Sequence, residues 1–130
     1  MNNLNILTPE IFLCFSIFLI LMVGVFVKDS YNAVFRLSII ILFLTIFILF
    51  KSDDTTNKIF LDSFIYDRFA KFIKILILIS SIFVLNSSQK FIKESNLNKF
   101  EYPIIILMSI LGMFFMVSSN DLILFYLGLE

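Results

Sequence analysis

The chain has 130 residues, of which 60% are hydrophobic and 15% are charged, and its mean hydropathy is +1.02. A soluble domain is nearer half apolar and a quarter charged, so this composition excludes an ordinary soluble protein and predicts a membrane protein. Ten basic and ten acidic residues leave no net charge, which gives no reason to expect nucleic acid as a partner. Histidine is absent, and a single cysteine can form neither an intrachain disulfide nor a metal cluster.

Two apolar runs come first in the chain: Ile11–Val27, which carries no charge, and Ala33–Phe50, in which Arg36 lies one turn inside and is close enough to the end to extend to the membrane surface. At ~1.5 Å per residue each run, with its flanks, is long enough to cross a hydrocarbon layer about 30 Å thick. Before the first run, Thr8 is placed to cap a helix, Pro9 suits the first helical position, and Glu10 faces the positive end of the helix dipole. Both runs are therefore predicted to be transmembrane helices.

A polar stretch separates the second and third apolar runs. Its middle, Ile59–Tyr66, is short, aromatic and β-branched, which predicts a small hairpin rather than another span. Asp67 is predicted to cap the third helix, with Lys71 four residues later as its ion-pair partner. The third run, Phe72–Leu85, carries Lys74 near its start, and both lysines are expected to extend their ammonium groups to the membrane surface.

The fourth apolar run, Pro103–Ser119, follows a polar connection with three lysines. Ser109 and Gly112 share one face of this run, and small residues let a neighbouring helix approach closely, although an incidental small residue is the alternative interpretation. The sequence "SSND" then turns into a helix that begins near Asp121. The chain is thus predicted to be an all-α polytopic membrane protein with four complete spans, the start of a fifth, and a hairpin-like loop between the second and third.

Basic residues are concentrated in the connections after the first and third runs. The positive-inside rule places these connections on the cytoplasmic or matrix side. The amino terminus is then expected on the periplasmic or intermembrane-space side. A few bases between the second and third runs oppose this orientation, but neighbouring acids dilute them.

A carboxylate, Glu130, interrupts the last apolar run, "LILFYLGLE". If the fifth helix begins at Asp121, the acid lies about 14 Å along the axis, near the midplane of a ~30 Å core. A charge at that depth costs at least ~2.5–3.5 kcal/mol, so Glu130 is expected to face protein or water and is the candidate functional residue. In the alternative, helix and chain end together and Glu130 is an exposed terminus.

The segment "FEYPIIILMSILGMFFMVSSNDLILFYLGLE" resembles the chain N (mitochondrial subunit 2) family of respiratory complex I, NADH:ubiquinone oxidoreductase. The stretches "LTPEIFL" and "DSFIYDRFAKFIKILILISS" match as well, so the resemblance covers nearly the whole chain. It implies a larger antiporter-like fold with inverted helical repeats. On this basis residues 1–100 form an N-terminal three-helix membrane segment with extramembrane loops, and residues 101–130 begin the first repeat.

The resemblance also implies what the chain does. Glu130 falls on the family's membrane-embedded glutamate, a proton-carrying carboxylate paired with a lysine beyond the end of this chain. The implied function is proton translocation coupled to electron transfer from NADH to ubiquinone, in a subunit of an enzyme but with no redox centre of its own. NADH, FMN, iron–sulfur clusters and ubiquinone are expected to belong to other subunits.

The expected partners are the other membrane-arm subunits, membrane lipid, and a separate chain if the remaining helices are encoded apart. Because split or fragmentary subunits suit organellar genomes, the mitochondrial inner membrane is the expected location, with a bacterial plasma membrane as the alternative. Two other functions stay open: the related module of a cation/proton antiporter or membrane hydrogenase, and a small structural or assembly subunit without a proton path. The last predicts that Glu130 lies in water or at a lipid headgroup.

A stand-alone enzyme has the least support in the sequence. The irregular spacing and interleaved bases of four aspartates are typical of a solvated loop rather than a metal site: Asp53, Asp54, Asp62 and Asp67. The glycines all lie inside apolar runs, and none forms a phosphate-binding loop. Asp121 is interpreted as a helix-start residue rather than a proton carrier. The sequence therefore predicts neither a cofactor site nor a metal site in this chain.

Overall fold

The apolar runs fold into a bundle of helices. A computed structural model describes residues 7–27, 30–52, 57–59, 64–96 and 99–130. In chain order the elements are α1 (Thr8–Phe26), α2 (Ser30–Lys51), β1 (Asn57–Ile59), β2 (Phe64–Tyr66), α3 (Arg68–Glu94), α4 (Glu101–Ser118) and α5 (Leu122–Leu129). The first four helices are each long and apolar enough to cross a membrane. The predicted fold class, four spans and the start of a fifth helix, is confirmed.

The predicted hairpin between the second and third helices is present. Strands β1 and β2 pair antiparallel, with Asn57 opposite Tyr66, while residues 60–63 lie outside the described part of the chain. Immediately after β2, Asp67 caps α3, because its Oδ1 accepts a hydrogen bond of 2.8 Å from the Ala70 N–H. This confirms the predicted cap.

Helix α3 is longer than the sequence analysis predicted. The apolar run ends near Leu85, whereas the helix continues to Glu94. The last part of the extension contains good helix formers such as Gln89 and Lys90, and after the cap residue Ser95 the backbone turns left-handed at Asn96, with a φ of 54°. Lys93 in the last turn complements the negative end of the helix dipole. Polarity alone was therefore a poor marker of where this helix ends.

The helices alternate in direction. At one end of the bundle, called the Thr8 end, α1, α3 and α5 begin and α2 and α4 end. Lys71 links two of these termini, since its Nζ donates to the Ser52 backbone oxygen at 2.9 Å; the sequence analysis had assigned it to Asp67. At the opposite end, Gly24 of α1 lies against Phe100, so close that an added Cβ would overlap the ring.

The core is a single apolar cluster to which α1, α2, α3 and α4 all contribute. Leu13, Leu42, Leu78 and Leu107, one from each helix, have no exposed surface. Large apolar side chains on the outer faces, such as Phe47, are exposed, as expected for a surface that contacts lipid. Helices α1, α2 and α3 therefore pack against one side of α4, and α5 packs against another side of it.

Candidate functional site

The carboxylate at the end of α5 lies beside the middle of α4. The two helices cross at a pair of glycines: a Cβ at Gly112 would lie 2.7 Å from the Gly128 oxygen, and one at Gly128 would lie 2.9 Å from the Gly112 oxygen. The close helix approach predicted at Gly112 is confirmed, with α5 as the neighbour. Gly112 is six residues from the end of α4, so the crossing point lies inside the span. Glu130 follows Gly128 by two residues and is ~12 Å along α5 from Leu122, so it lies inside the span as well.

Helices α4 and α5 form the walls of an open groove of about 730 Å³. Most of its lining is apolar and includes Met108, Leu111, Met113, Phe115, Met116 and Leu127. Glu130 lines the same groove, together with Ser109 and the two crossing glycines. Its Oε1 accepts a hydrogen bond of 2.9 Å from the Tyr126 hydroxyl one turn earlier, and its side chain is exposed on this chain. The groove thus combines an acid with an apolar wall.

A pair of opposite charges lies inside the bundle. Lys74 of α3 donates a hydrogen bond from Nζ to Oε1 of Glu10 on α1. Lys74 has no exposed surface, and Glu10 is 2% exposed. The expectation that Lys74 extends to the membrane surface is therefore wrong. Ala70 and Leu78, four residues before and after Lys74 on the same face of α3, are also buried, so Lys74 lies on the core face of the helix.

Glu10 keeps the position that the sequence predicted, in the first turn of α1. Thr8 itself begins the helix, so it is not the cap: Leu7 occupies that position and makes no side-chain cap bond. What sequence reasoning missed is that Glu10 has a cationic partner from another helix. The available signal was that each charge lies near the start of an apolar run and that both starts belong at the same end of the bundle.

The Lys74 ammonium also lies over the Phe114 ring of α4, with 5.5 Å between Nζ and the ring centroid. A cation at this distance from a ring face is attracted by the ring quadrupole. Three helices therefore meet at one ammonium group, in a region where an unpaired charge is strongly disfavoured.

The aspartates do not assemble into a site in the described part of the chain. Asp53, Asp54 and Asp62 lie outside the described residues, and Asp67 is occupied as a helix cap. Asp121 immediately precedes α5, as predicted for a helix-start residue. Within the described ranges, no three His, Cys, Asp or Glu side chains come together as a candidate metal site.

Comparison with known proteins identifies the relatives of this chain. It is 42% identical over 131 residues to NADH-quinone oxidoreductase subunit N of Pelagibacter ubique, a match that covers 100% of this chain. The chain is homologous to NADH-quinone oxidoreductase subunit N. Subunit N of Beijerinckia indica is 37% identical over 123 residues and that of Parvibaculum lavamentivorans 38% over 124, each match covering 94% of this chain. No protein-family model matches the chain.

The chain spans only part of the subunit N relatives. The match covers 28% of the Pelagibacter protein and 26% of each of the other two. These relatives confirm the resemblance to complex I chain N that the sequence motifs indicated. With four helices suited to membrane crossing, this subunit N homologue is a multi-pass membrane protein.

Proposed function

We propose that this chain forms one segment of the antiporter-like membrane-arm subunit of complex I and takes part in proton translocation coupled to electron transfer from NADH to quinone. The observation that carries this proposal is its 42% identity, over its whole length, to a subunit N. Its partners are then the other membrane-arm subunits. NADH, FMN, iron–sulfur clusters and quinone are bound elsewhere in the assembly, and this chain contributes protonatable groups within the membrane.

Glu130 is the residue to which we assign proton transfer. A carboxylate there takes up one proton to become a neutral acid and releases it to regenerate the anion. Three observations support the assignment: the depth set by the Gly112–Gly128 crossing, the Tyr126 hydroxyl that hydrogen-bonds the carboxylate, and the groove beside it. The groove is open on one side, and a basic side chain that reaches into it from a helix outside residues 1–130 stabilises the ionised form of the acid.

The membrane in question is, in this proposal, a bacterial plasma membrane with the Thr8 end on the periplasmic side. The relatives are bacterial, which gives no support to the mitochondrial inner membrane expected from the sequence. The orientation rests on three lysines near the junction of α3 and α4, which the positive-inside rule places in the cytoplasm: Lys90 and Lys93 in the last turns of α3, and Lys99 in the connection.

Glu130→Gln in the assembled complex tests the function. Glutamine keeps the size of the side chain but binds no proton, so proton pumping is expected to fall by about ten-fold or more relative to wild type. The matched control is Glu101→Gln, which removes an exposed acid at the opposite end of α4. Membrane vesicles given NADH and quinone report pumping, and the amount of assembled complex is measured alongside. Normal pumping by a normally assembled Glu130→Gln complex contradicts the proton-carrier role and favours a structural subunit.

A further inference from the structure

Two buried oxygen atoms near the Thr8 end have no hydrogen-bond partner among the described residues: Oε2 of Glu10 and Oγ of Ser118. Glu10 is 2% exposed and Ser118 is 0% exposed. Buried polar atoms in native proteins nearly always bind another polar group or an ordered water. A carboxylate that has one oxygen on an ammonium and the other without a partner is an unusual arrangement in an apolar bundle, because the second oxygen also needs a hydrogen-bond donor.

The packing of α1 on α4 sets the relative heights of these atoms. Gly24 contacts Phe100 at the end of the bundle opposite Thr8. Fourteen residues separate Gly24 from Glu10 along α1, and fourteen separate Phe100 from Phe114 along α4, which is ~21 Å in each helix. Glu10 and Phe114 therefore lie at one level of two antiparallel helices. Lys74 independently confirms this, since its ammonium contacts both.

Ser118 lies on the same face of α4 as Phe114, one turn nearer the Thr8 end. That displacement is ~6 Å along the axis. Side chains on a helix lean toward its amino terminus, so the Glu10 side chain leans from α1 toward the Thr8 end and reduces the difference in height. The two unsatisfied oxygens thus approach the same level from facing helices, each already shielded from solvent.

We propose that a water molecule binds between Glu10 Oε2 and Ser118 Oγ, and that with Lys74 it forms a hydrated ion-pair site where α1, α3 and α4 meet. The water donates one hydrogen to the Glu10 oxygen and makes its second hydrogen bond with the Ser118 hydroxyl, which both donates and accepts. Buried waters in proteins characteristically bind polar groups that otherwise lack partners. Bound there, the water completes the solvation of the carboxylate and so reduces the desolvation penalty of the buried pair.

This site links the three-helix segment to the helix that carries Gly112. It does not depend on the proposed function, because it rests only on atoms of the described residues. A failure of Glu130→Gln to impair pumping therefore leaves it standing, and its own failure leaves the Glu130 assignment unaffected.

The direct test is a cryo-electron microscopy map of the intact assembly at a resolution that shows ordered water. The proposal expects density within ~2.6–3.2 Å of both Glu10 Oε2 and Ser118 Oγ. The absence of water density at Oε2, or a protein or lipid group bound to it, overturns the proposal. This measurement uses the unmodified protein, so it does not depend on whether any variant folds.

Ser118→Ala gives a test in which the direction of the effect decides. If the Ser118 hydroxyl has no ligand, its removal relieves an unsatisfied buried group and the unfolding temperature rises or stays the same. If it holds the water, its removal leaves the water with one partner fewer and the unfolding temperature falls by several degrees. The matched control is Ser38→Ala: Ser38 is also 0% exposed, but its hydroxyl donates to the Val34 oxygen at 2.8 Å within α2. Ser38→Ala is expected to lower the unfolding temperature, and a rise or no change for Ser118→Ala beside that fall overturns the proposal.

Discussion

The Lys74 ammonium of α3 donates a hydrogen bond to the Glu10 carboxylate of α1, 64 residues away along the chain, and both side chains are buried. Neither group can turn to water without separating the helices that hold it. In an apolar bundle each charge is tolerated only because the other is present. The pair is therefore a point at which the packing of α1, α3 and α4 can be tested directly.

Lys74→Met is expected to destabilise the protein by about 3–5 kcal/mol, because it leaves the Glu10 carboxylate buried without its cation. Thermal unfolding of the purified protein in detergent measures the loss. The double variant Glu10→Gln with Lys74→Met removes both charges and is expected to recover much of it. A double variant no more stable than Lys74→Met would show that the lost contact is not electrostatic.

Lys71→Met is the matched lysine control for that experiment. Lys71 lies one turn earlier on α3, is only half-buried, and donates to the Ser52 backbone oxygen at 2.9 Å. Its removal is expected to cost less than that of Lys74, because interactions of a half-buried ammonium are weakened by solvent. Equal losses from the two lysines would contradict a special role for the buried one.

Gly112→Ala is expected to force α4 and α5 apart. The new Cβ would lie 2.7 Å from the Gly128 backbone oxygen, which cannot rotate away as a side chain can. Overpacking of this kind costs about 1–3 kcal/mol, measurable by thermal unfolding, and displaces the Glu130 helix. Ser109→Ala, on the same groove but exposed, serves as the control and should be nearly neutral.

Asp67→Ala is expected to fray the start of α3 and to lower stability by about 0.5–2 kcal/mol. The substitution removes the oxygen that accepts the Ala70 N–H at 2.8 Å. Asp67→Asn retains an oxygen suited to the same cap and should lose much less. Thermal unfolding of the two variants in parallel separates the contribution of the capping hydrogen bond from that of the negative charge. Asparagine supplies the capping oxygen but carries no charge.

Tyr126→Phe tests the surroundings of Glu130. The tyrosine hydroxyl donates to Oε1 at 2.9 Å, so its removal takes away a hydrogen bond that stabilises the ionised carboxylate. If Glu130 carries protons as proposed, removing the hydroxyl changes the pumping rate less than Glu130→Gln does, while assembly is retained. A loss as large as that of Glu130→Gln would mean that Tyr126 itself handles the proton.

Sequence patterns determined the features of this protein that are local along the chain. The length of each apolar run predicted the four spans, the β-branched and aromatic stretch predicted the hairpin, and Asp67 was correctly identified as a cap. These features depend on residues within a few positions of one another, where helix and strand periodicity act directly. The motif around Glu130 indicated the family, and homology to subunit N confirmed it.

The end of α3 was harder to predict, because a helix stops where the backbone is broken and not where the side chains become polar. Asn96, with its left-handed backbone, lies just beyond the boundary. The sequence contained that asparagine, but nothing in the polar stretch before it distinguished a helix emerging from the membrane from a loop.

Only the tertiary structure decided which residues of different helices meet. Lys74 was assigned to the membrane surface because a lysine near a helix end ordinarily extends there. The rotation of α3 in the bundle instead turns it to the core, where it meets Glu10 and Phe114. In the same way, Gly112 was known to permit close packing, but the partner, Gly128, follows from how α5 turns back along α4. Contacts between helices depend on the rotation and height of each one, and these are fixed by packing across the whole bundle rather than by any single segment.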